Sequence, residues 1–196
     1  MTFIRCIDPV DAEGKLKSLY AKVAAPDGEV DQILKAHSLR PHTLEGHMAL
    51  YKAVLHHSAN AIPKWLLETI GVQVSLLNQC EYCVVHHWHG LKRLCLEADN
   101  IVAWLKSDQV TAPDTITPGI QALLDYTEKL TTHPQAIASQ DVERCRSAGW
   151  TDGQVLEANQ VAAYFAYANR TVLGLGVKPV EQSLGLSPSG DSWQHG

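Results

Sequence analysis

The sequence predicts an all-α protein that folds as a single domain over residues 1–177. Apolar residues recur at intervals of three and four along nearly the whole chain, which is typical of helices with one buried face. No segment combines strict apolar–polar alternation with the turn residues of a β-hairpin. The length of 196 residues also fits one domain. The segment 178–196 contains Gly, Ser and Pro and is predicted to be an extended arm or a tail.

The helical pattern is interrupted by proline, glycine and asparagine, so the elements can be placed in order. In the first half, a helix carrying Leu16, Leu19 and Val23 precedes a break at 26–28. Further helices are predicted over 30–37, 41–55, 63–77 and 80–94. In the second half, helices are predicted over 97–105, 116–130, 139–148 and 151–173, the last one stopped by Gly174 and Gly176. The sequence therefore predicts eight or more helices.

Composition excludes several classes of function. There are 16 Lys and Arg against 21 Asp and Glu, a net charge of −5, with no basic run that would bind nucleic acid. No secretory signal and no apolar run of about 18 residues is found, so we expect a cytoplasmic protein without a membrane partner. The low charged fraction of 19% and the apolar last helix favour a homo-oligomer. An odd number of cysteines favours reduced thiols over a disulfide framework.

The densest group of reactive side chains lies between residues 78 and 89. Asn78 is predicted to cap the helix that carries Cys80 and Cys83, placing both sulfurs near its first turn. Free N–H groups there favour a thiolate, so we expect lowered cysteine pKa values. His87 follows Cys83 by one turn, and Glu68 lies on the preceding, largely apolar helix. A carboxylate, an imidazole and a thiol in this order could relay a proton.

Three interpretations of this group remain open. The cysteines could be a buried structural pair, they could supply half of a zinc site, or they could perform redox chemistry. No second pair of suitably spaced ligands follows, which weakens the zinc interpretation.

Other polar residues carry weaker signals. His56 and His57 are interpreted as cations at a helix end, and His86 and His89 as surface or interface residues. Asn169 and Arg170, in an apolar helix, are expected to have a fixed partner such as a buried carboxylate or a neighbouring subunit. Three further cysteines are interpreted as small apolar residues: Cys6, Cys95 and Cys145.

The spacing Glu68-x11-Cys80-x2-Cys83-x3-His87 resembles the core motif of the AhpD-like alkylhydroperoxidases, within the carboxymuconolactone decarboxylase superfamily. The second half of the chain resembles the peroxidase-related branch of that superfamily. The residues that carry this second resemblance are Tyr126-x2-Lys129-Leu130-Thr131, Ala148-Gly149-Trp150-Thr151-Asp152 and Ala163-Tyr164-Phe165-x3-Asn169-Arg170.

This resemblance implies an AhpD-like fold and a thiol-dependent peroxidase that needs no metal, haem or flavin. It implies that Cys83 attacks the peroxide, that Cys80 resolves the product, and that Glu68 and His87 relay protons. It also implies an external dithiol reductant, of lipoyl or thioredoxin type, and a homo-oligomer. Better-known members often carry histidine where this chain has Tyr82, so a relay role of that position is open.

Two functions from other classes remain as alternatives. The same cysteines could serve a redox sensor or a helical binding module without turnover. A lyase of the decarboxylase type is less favoured, because that branch lacks the cysteine pair.

Overall fold

In the computed structural model, the described residues are 2–26, 28–107 and 109–179, and they contain helices but no strand. The first five α-helices are α1 (Gly14–Val23), α2 (Gln32–Ala36), α3 (Pro41–Tyr51), α4 (Lys64–Leu77) and α5 (Glu81–Lys92). The next four are α6 (Ala98–Lys106), α7 (Pro118–Thr132), α8 (Ser139–Ser147) and α9 (Asp152–Leu175). Two 3₁₀ turns (Pro9–Asp11, Pro134–Ala136) and a π-helical segment (Lys52–His56) complete these elements.

Most of the predicted elements lie where the pattern placed them. Thr151 caps α9 by accepting from the Gln154 N–H, and Gly176 ends it in a left-handed conformation at φ 65°. Gly174, predicted to stop this helix, lies inside it. The helix predicted over 41–55 is α-helical only to Tyr51 and continues as the π-helical segment. For the predicted tail, residues 180–196 lie outside the described part of the chain.

Helix α4 lies at the centre of the molecule and packs against α5, α6, α7 and α9. Ten consecutive residues, from Leu66 to Ser75, are buried, because neighbouring helices cover α4 on every side. Its crossing with α9 is close. A Cβ added at Gly71 would stand 2.3 Å from the ring of Phe165, which is fully buried.

One hydrophobic core joins the described chain from Ala12 to Val177. None of the helices in these residues combines the length and the apolar character that a membrane span requires. The centre of this core, where α4, α5 and α9 meet, holds the polar residues that the sequence marks as reactive.

Candidate active site

The turn between α4 and α5 positions the cysteines. Asn78 ends α4 and does not cap α5, so the predicted role of Asn78 is wrong; the N-cap residue is Cys80. Between them Gln79 adopts φ 55°, a left-handed conformation that reverses the chain in one residue. The N–H of Cys80 donates to the Ser75 carbonyl at 2.8 Å, which fixes the turn to the end of α4.

The two sulfurs hydrogen-bond to each other but face different surroundings. Cys80 is completely buried, whereas Cys83, one turn into α5, lines a cavity. Hydrogen bonds from Cys83 lower the pKa of Cys80. The hydrogen bond to Cys80 and burial raise the pKa of Cys83 well above its usual value. The expected lowering therefore applies to Cys80, and for Cys83 the expectation is wrong, because that thiol donates to its neighbour and is shielded from water.

Asn169 holds the cysteine pair from the side of α9. Its side chain is fully buried; its Nδ2 donates to Ser75 Oγ at 3.1 Å, and its Oδ1 accepts from Asn78 Nδ2 at 3.0 Å. It also hydrogen-bonds to the sulfurs, lowering the pKa of both Cys80 and Cys83.

The fixed partner expected for Asn169 exists, but it is neither a carboxylate nor a subunit. The position of a polar residue in an apolar helix predicted that Asn169 has a partner. The sequence could not identify that partner, because Ser75 and Asn78 lie more than 90 residues earlier in the chain. Arg170 is exposed and donates to the Ala166 carbonyl of its own helix, at 2.7 Å.

Glu68 and His87 form a buried pair. The His87 Nδ1–H donates to Glu68 Oε2 at 2.7 Å, and both side chains are more than nine-tenths buried. Burial alone would raise the pKa of Glu68, but the charge and the hydrogen bond of His87 outweigh it, and the pKa is lowered. The absence of a side chain at Gly90 gives the carboxyl room, since a Cβ there would lie 3.2–3.3 Å from its atoms. In the neutral ring, where the Nδ1–H donates to Glu68, the Nε2 of His87 can accept a proton.

Cys83 and His87 both line one small cavity of about 60 Å³, enough for a few water-sized molecules. Its walls come from α1, α2, α3, α5 and α9 and the segment before α2. The other polar and aromatic lining residues are Asp31, His47, Tyr51, Tyr82, His86 and Tyr164. Cys80 and Glu68 lie behind this wall. The structure therefore brings all four predicted site residues to one place, with a thiol and an imidazole at the surface of the cavity.

Asp31 lies on the same cavity and was missed by the sequence analysis. Its carboxylate accepts from the Tyr82 hydroxyl and lies 3.2 Å from His86 Nε2. The Tyr82 hydroxyl also accepts from the Ile33 N–H at 3.3 Å, so it is engaged on both sides and faces Asp31. Of the two interpretations of His86, surface residue or interface residue, the first is wrong, because the segment before α2 covers that face of α5.

Three further candidates, His56, His89 and Cys145, do not line the cavity. His56 is half-buried beside the Tyr51 ring, with centroids 4.8 Å apart, and burial lowers its pKa, so its interpretation as a cation is wrong. The His89 ring lies 5.1 Å from the Trp88 ring at an angle of 46°. Cys145 is buried and donates to the Ala122 carbonyl at 3.6 Å, as a structural residue would. Among the described residues no three His, Cys, Asp or Glu side chains are placed to hold a metal ion, which leaves the zinc interpretation without a ligand set.

Comparison with known structures identifies the architecture. A peroxidase-related protein from Ralstonia eutropha JMP134, described as an alkylhydroperoxidase AhpD core, is 24% identical with a TM-score of 0.78, covering 92% of this chain and 93% of its own. A peroxidase-related protein from Silicibacter sp. TM1040 is also 24% identical, with a TM-score of 0.77 and 94% of each chain covered.

A protein with another described activity also matches. The debrominase Bmp8, in complex with 2,3,4-tribromopyrrole, is 14% identical with a TM-score of 0.68, covering 91% of this chain and 93% of its own. No family model and no curated protein sequence matches the chain. The all-α prediction is confirmed, and the chain has the fold of the AhpD core.

Proposed function

We propose that this chain is a thiol-dependent peroxidase that reduces hydrogen peroxide or small organic hydroperoxides through Cys83 and Cys80. The observation that carries the proposal is the division of roles between the two sulfurs. Cys83 lines the cavity beside an imidazole held by a buried carboxylate, while Cys80 hydrogen-bonds to it from behind. A substrate in the cavity reaches one sulfur, and the second waits next to the product.

In the first step, the Cys83 thiol gives its proton to His87 Nε2, and the sulfur attacks the terminal oxygen of the peroxide. The S–O bond forms as the O–O bond breaks, and the leaving oxygen takes the proton back from His87. The products are a Cys83 sulfenic acid and an alcohol or water. Glu68 stabilises the imidazolium that exists between the two transfers, which is the role of the carboxylate in a histidine–acid pair.

In the second step, the Cys80 sulfur attacks the sulfenic sulfur of Cys83. A disulfide forms, and the hydroxyl leaves as water with the proton of Cys80. The Cys83 backbone N–H and the Asn169 side chain, which both lower the pKa of Cys80, remain after Cys83 is oxidised and favour this attack, since the thiolate is the nucleophile. A dithiol reductant of lipoyl or thioredoxin type then returns both cysteines to thiols by exchange, and no metal, haem or flavin takes part.

The proposal includes a homo-oligomer in the cytoplasm, built on one domain. Exposed apolar side chains along α9 support it, because a neighbouring subunit would cover them. These side chains are Leu156, Tyr167 and Leu173.

A redox sensor without turnover is the second candidate. The observation that favours it is burial: Cys80 is completely buried and Cys83 is nearly so, which limits the access of an external dithiol to the disulfide. Such a protein would oxidise once and would not be recycled by a general dithiol.

Peroxide consumption with dihydrolipoamide or thioredoxin as reductant tests the proposal on the full chain. We expect repeated turnover of hydrogen peroxide or tert-butyl hydroperoxide by the wild type and none by Cys83→Ser, while Cys95→Ser keeps full activity as a matched control. Cys80→Ser should complete one turnover and stop at the sulfenic acid. One equivalent of peroxide consumed by the wild type would favour the sensor. Consumption of 2,3,4-tribromopyrrole instead of peroxide would overturn the proposal in favour of debromination.

A further inference from the structure

A second carboxylate–histidine pair lines the same cavity, and the steps above do not use it. Asp31 and His86 are 3.2 Å apart between Oδ2 and Nε2, and each side chain is about nine-tenths buried. The Tyr82 hydroxyl donates to the other oxygen of Asp31, and the Ile33 N–H donates to that hydroxyl. The carboxylate is therefore anchored on one side and orients an imidazole on the other.

The two pairs use opposite ring nitrogens. His87 donates to its carboxylate from Nδ1, whereas His86 faces its carboxylate with Nε2. The remaining nitrogen of His86, Nδ1, is buried and has no hydrogen-bond partner among the described residues. An unsatisfied polar atom in a buried site is costly, and such atoms often mark the place of a ligand.

The protonation of His86 decides what that ligand must supply. Burial lowers the pKa of His86, so the ring is neutral at neutral pH. The Nε2–H donates to Asp31, and Nδ1 then carries a lone pair and no proton. It can only accept a hydrogen bond, so a ligand that satisfies it must donate one.

We propose that His86 Nδ1 accepts a hydrogen bond from the O–H of a bound hydroperoxide and thereby selects substrates that carry a free O–O–H group. This inference rests on the proposed function and adds a substrate-binding residue to it. The small cavity, about 60 Å³, admits the hydroperoxide group next to both Cys83 and His86. In the attack on the terminal oxygen, that hydrogen stays on the oxygen and becomes the hydroxyl of the sulfenic acid, so His86 binds it without removing it.

Two variants of His86 separate its nitrogens. In His86→Asn the amide oxygen takes the place of Nδ1, which keeps an acceptor near the cavity. In His86→Gln the amide nitrogen takes the place of Nε2, which keeps the donor to Asp31 and removes the acceptor. His89→Gln is the matched control, because it lies on the same helix away from the cavity.

The experiment compares hydroperoxide turnover with alkylation of Cys83 by iodoacetamide, a reagent without an O–H group. For His86→Gln we expect the KM for tert-butyl hydroperoxide to rise about 10-fold with little change in kcat, as loss of one hydrogen bond to bound substrate predicts. Alkylation of Cys83, mapped by peptide analysis, should stay within about twofold of the wild type, and His86→Asn should recover most of the affinity. Asp31→Asn, which keeps the size of the anchor, should raise the KM in the same way if a His86 variant does not fold.

The possible contrary results are distinct. If wild type turns over hydroperoxides and both His86 variants have its KM, the proposal for His86 is overturned and the peroxidase stands. Equal losses in turnover and in alkylation would show that His86 acts on the thiol, which also overturns the proposal. A wild type that consumes no hydroperoxide would overturn both proposals together.

Discussion

Glu68 and Asp141 are both buried carboxylates, but the regions around them differ in how completely they are satisfied. At the corner of α7 and α8, Asp141 accepts from Lys129 Nζ at 2.7 and 2.9 Å, from the Ala138 N–H at 2.7 Å and from Arg144. Lys129 holds its pKa below the usual range. Both carboxylate oxygens of Asp141 are thus hydrogen-bonded to other groups of the protein.

At the cavity, the carboxylate of Glu68 is bonded to a ring that is itself part of the cavity wall. Four buried histidine nitrogens among the described residues have no partner, two of them on residues that line this cavity: His37 Nε2, His47 Nδ1, His56 Nε2 and His86 Nδ1. Burial of a charge is thus common to a structural and a reactive site. The cavity site differs in having buried polar atoms without a partner on residues that line a space a ligand can enter.

The sharpest test of this difference exchanges each carboxylate for its amide. Glu68→Gln should lower the rate of peroxide reduction about 10²–10⁴-fold, the usual contribution of a positioned base, with the fold intact. The loss should shrink at high pH, where the thiol ionises without help. Stopped-flow measurement of peroxide reduction between pH 7 and pH 10 gives the result.

The matched variant, Asp141→Asn, should do the opposite. It weakens the ion pairs with Lys129 and Arg144, so we expect a thermal midpoint lower by several degrees and an unchanged peroxide rate. A Glu68→Gln protein as fast as wild type at pH 7 would show that Glu68 is structural, like Asp141.

The next largest effect is expected at Asn169. Asn169→Leu keeps the volume but removes the hydrogen bonds that lower the pKa of both cysteines. The pH profile of cysteine alkylation should move upward by about one unit, since a hydrogen bond to a charged group is worth one to two such units. Asn159→Leu, on the same helix but bonded to Tyr126, is the control and should leave the profile in place. An unchanged profile in Asn169→Leu would mean that the helix start and Cys83 alone set the charge on Cys80.

As the pH falls, we expect the cavity region to lose stability at a higher pH than the corner of α7 and α8. Burial lowers the pKa of His47 to about 3, from 6.5 in an exposed residue. As the pH falls through 6.5 the unfolded chain takes up a proton and the folded protein does not, so stability is lost. This one residue should lower the free energy of unfolding by about 1.6 kcal/mol between pH 6.5 and pH 5.

Denaturant titrations at several pH values check this prediction. His47→Phe should flatten the pH dependence in that window, because the titrating group is gone. Asp141→Asn should keep the slope of the wild type, since the lowered pKa of that carboxyl places its titration below 3.8. Identical slopes for wild type and His47→Phe would contradict the assignment.

The smallest effect is expected at Gly90. In Gly90→Ala the added Cβ would stand 3.2–3.3 Å from the Glu68 carboxyl and displace it by a few tenths of an ångström. We expect a peroxide rate lower by about 3- to 10-fold, because relay geometry is sensitive to such shifts. Gly46→Ala, also in a helix but with nothing within 4 Å of the new Cβ, should leave the rate unchanged. Equal rates in both alanine variants would show that the carboxyl moves without consequence.

The sequence could predict what depends on local pattern. Apolar periodicity with proline and glycine breaks located the helices, and the motif spacing selected residues that the fold brings together. The sequence did not predict the surroundings of residues that are covered or hydrogen-bonded by a segment far away in the chain. His86 is polar on a helix whose cover, the segment carrying Asp31, lies 55 residues earlier in the chain. Asn78 has the side chain of an N-cap, but Asn169 draws it away by a hydrogen bond from α9.

Two backbone conformations also could not be predicted from the sequence pattern. The π-helical segment ending at His56 and the left-handed Gln79 have no marker in composition, because neither glycine nor proline is involved. Both lie next to the candidate site, where a chain is often held in less common conformations because the surrounding contacts fix them.

The close crossing at Gly71 has a consequence for how the protein would tolerate change. Gly71 contacts neither sulfur, so its position alone would suggest that substitutions there leave activity unchanged. Any side chain at position 71 would press on Phe165, whose ring packs edge-on against His87 at 4.5 Å and which lies one turn before Asn169. The absence of a side chain at Gly71 therefore lets α4 and α9 approach closely enough to place Phe165 against His87. We expect substitutions at position 71 to lower activity although the residue lies outside the candidate site.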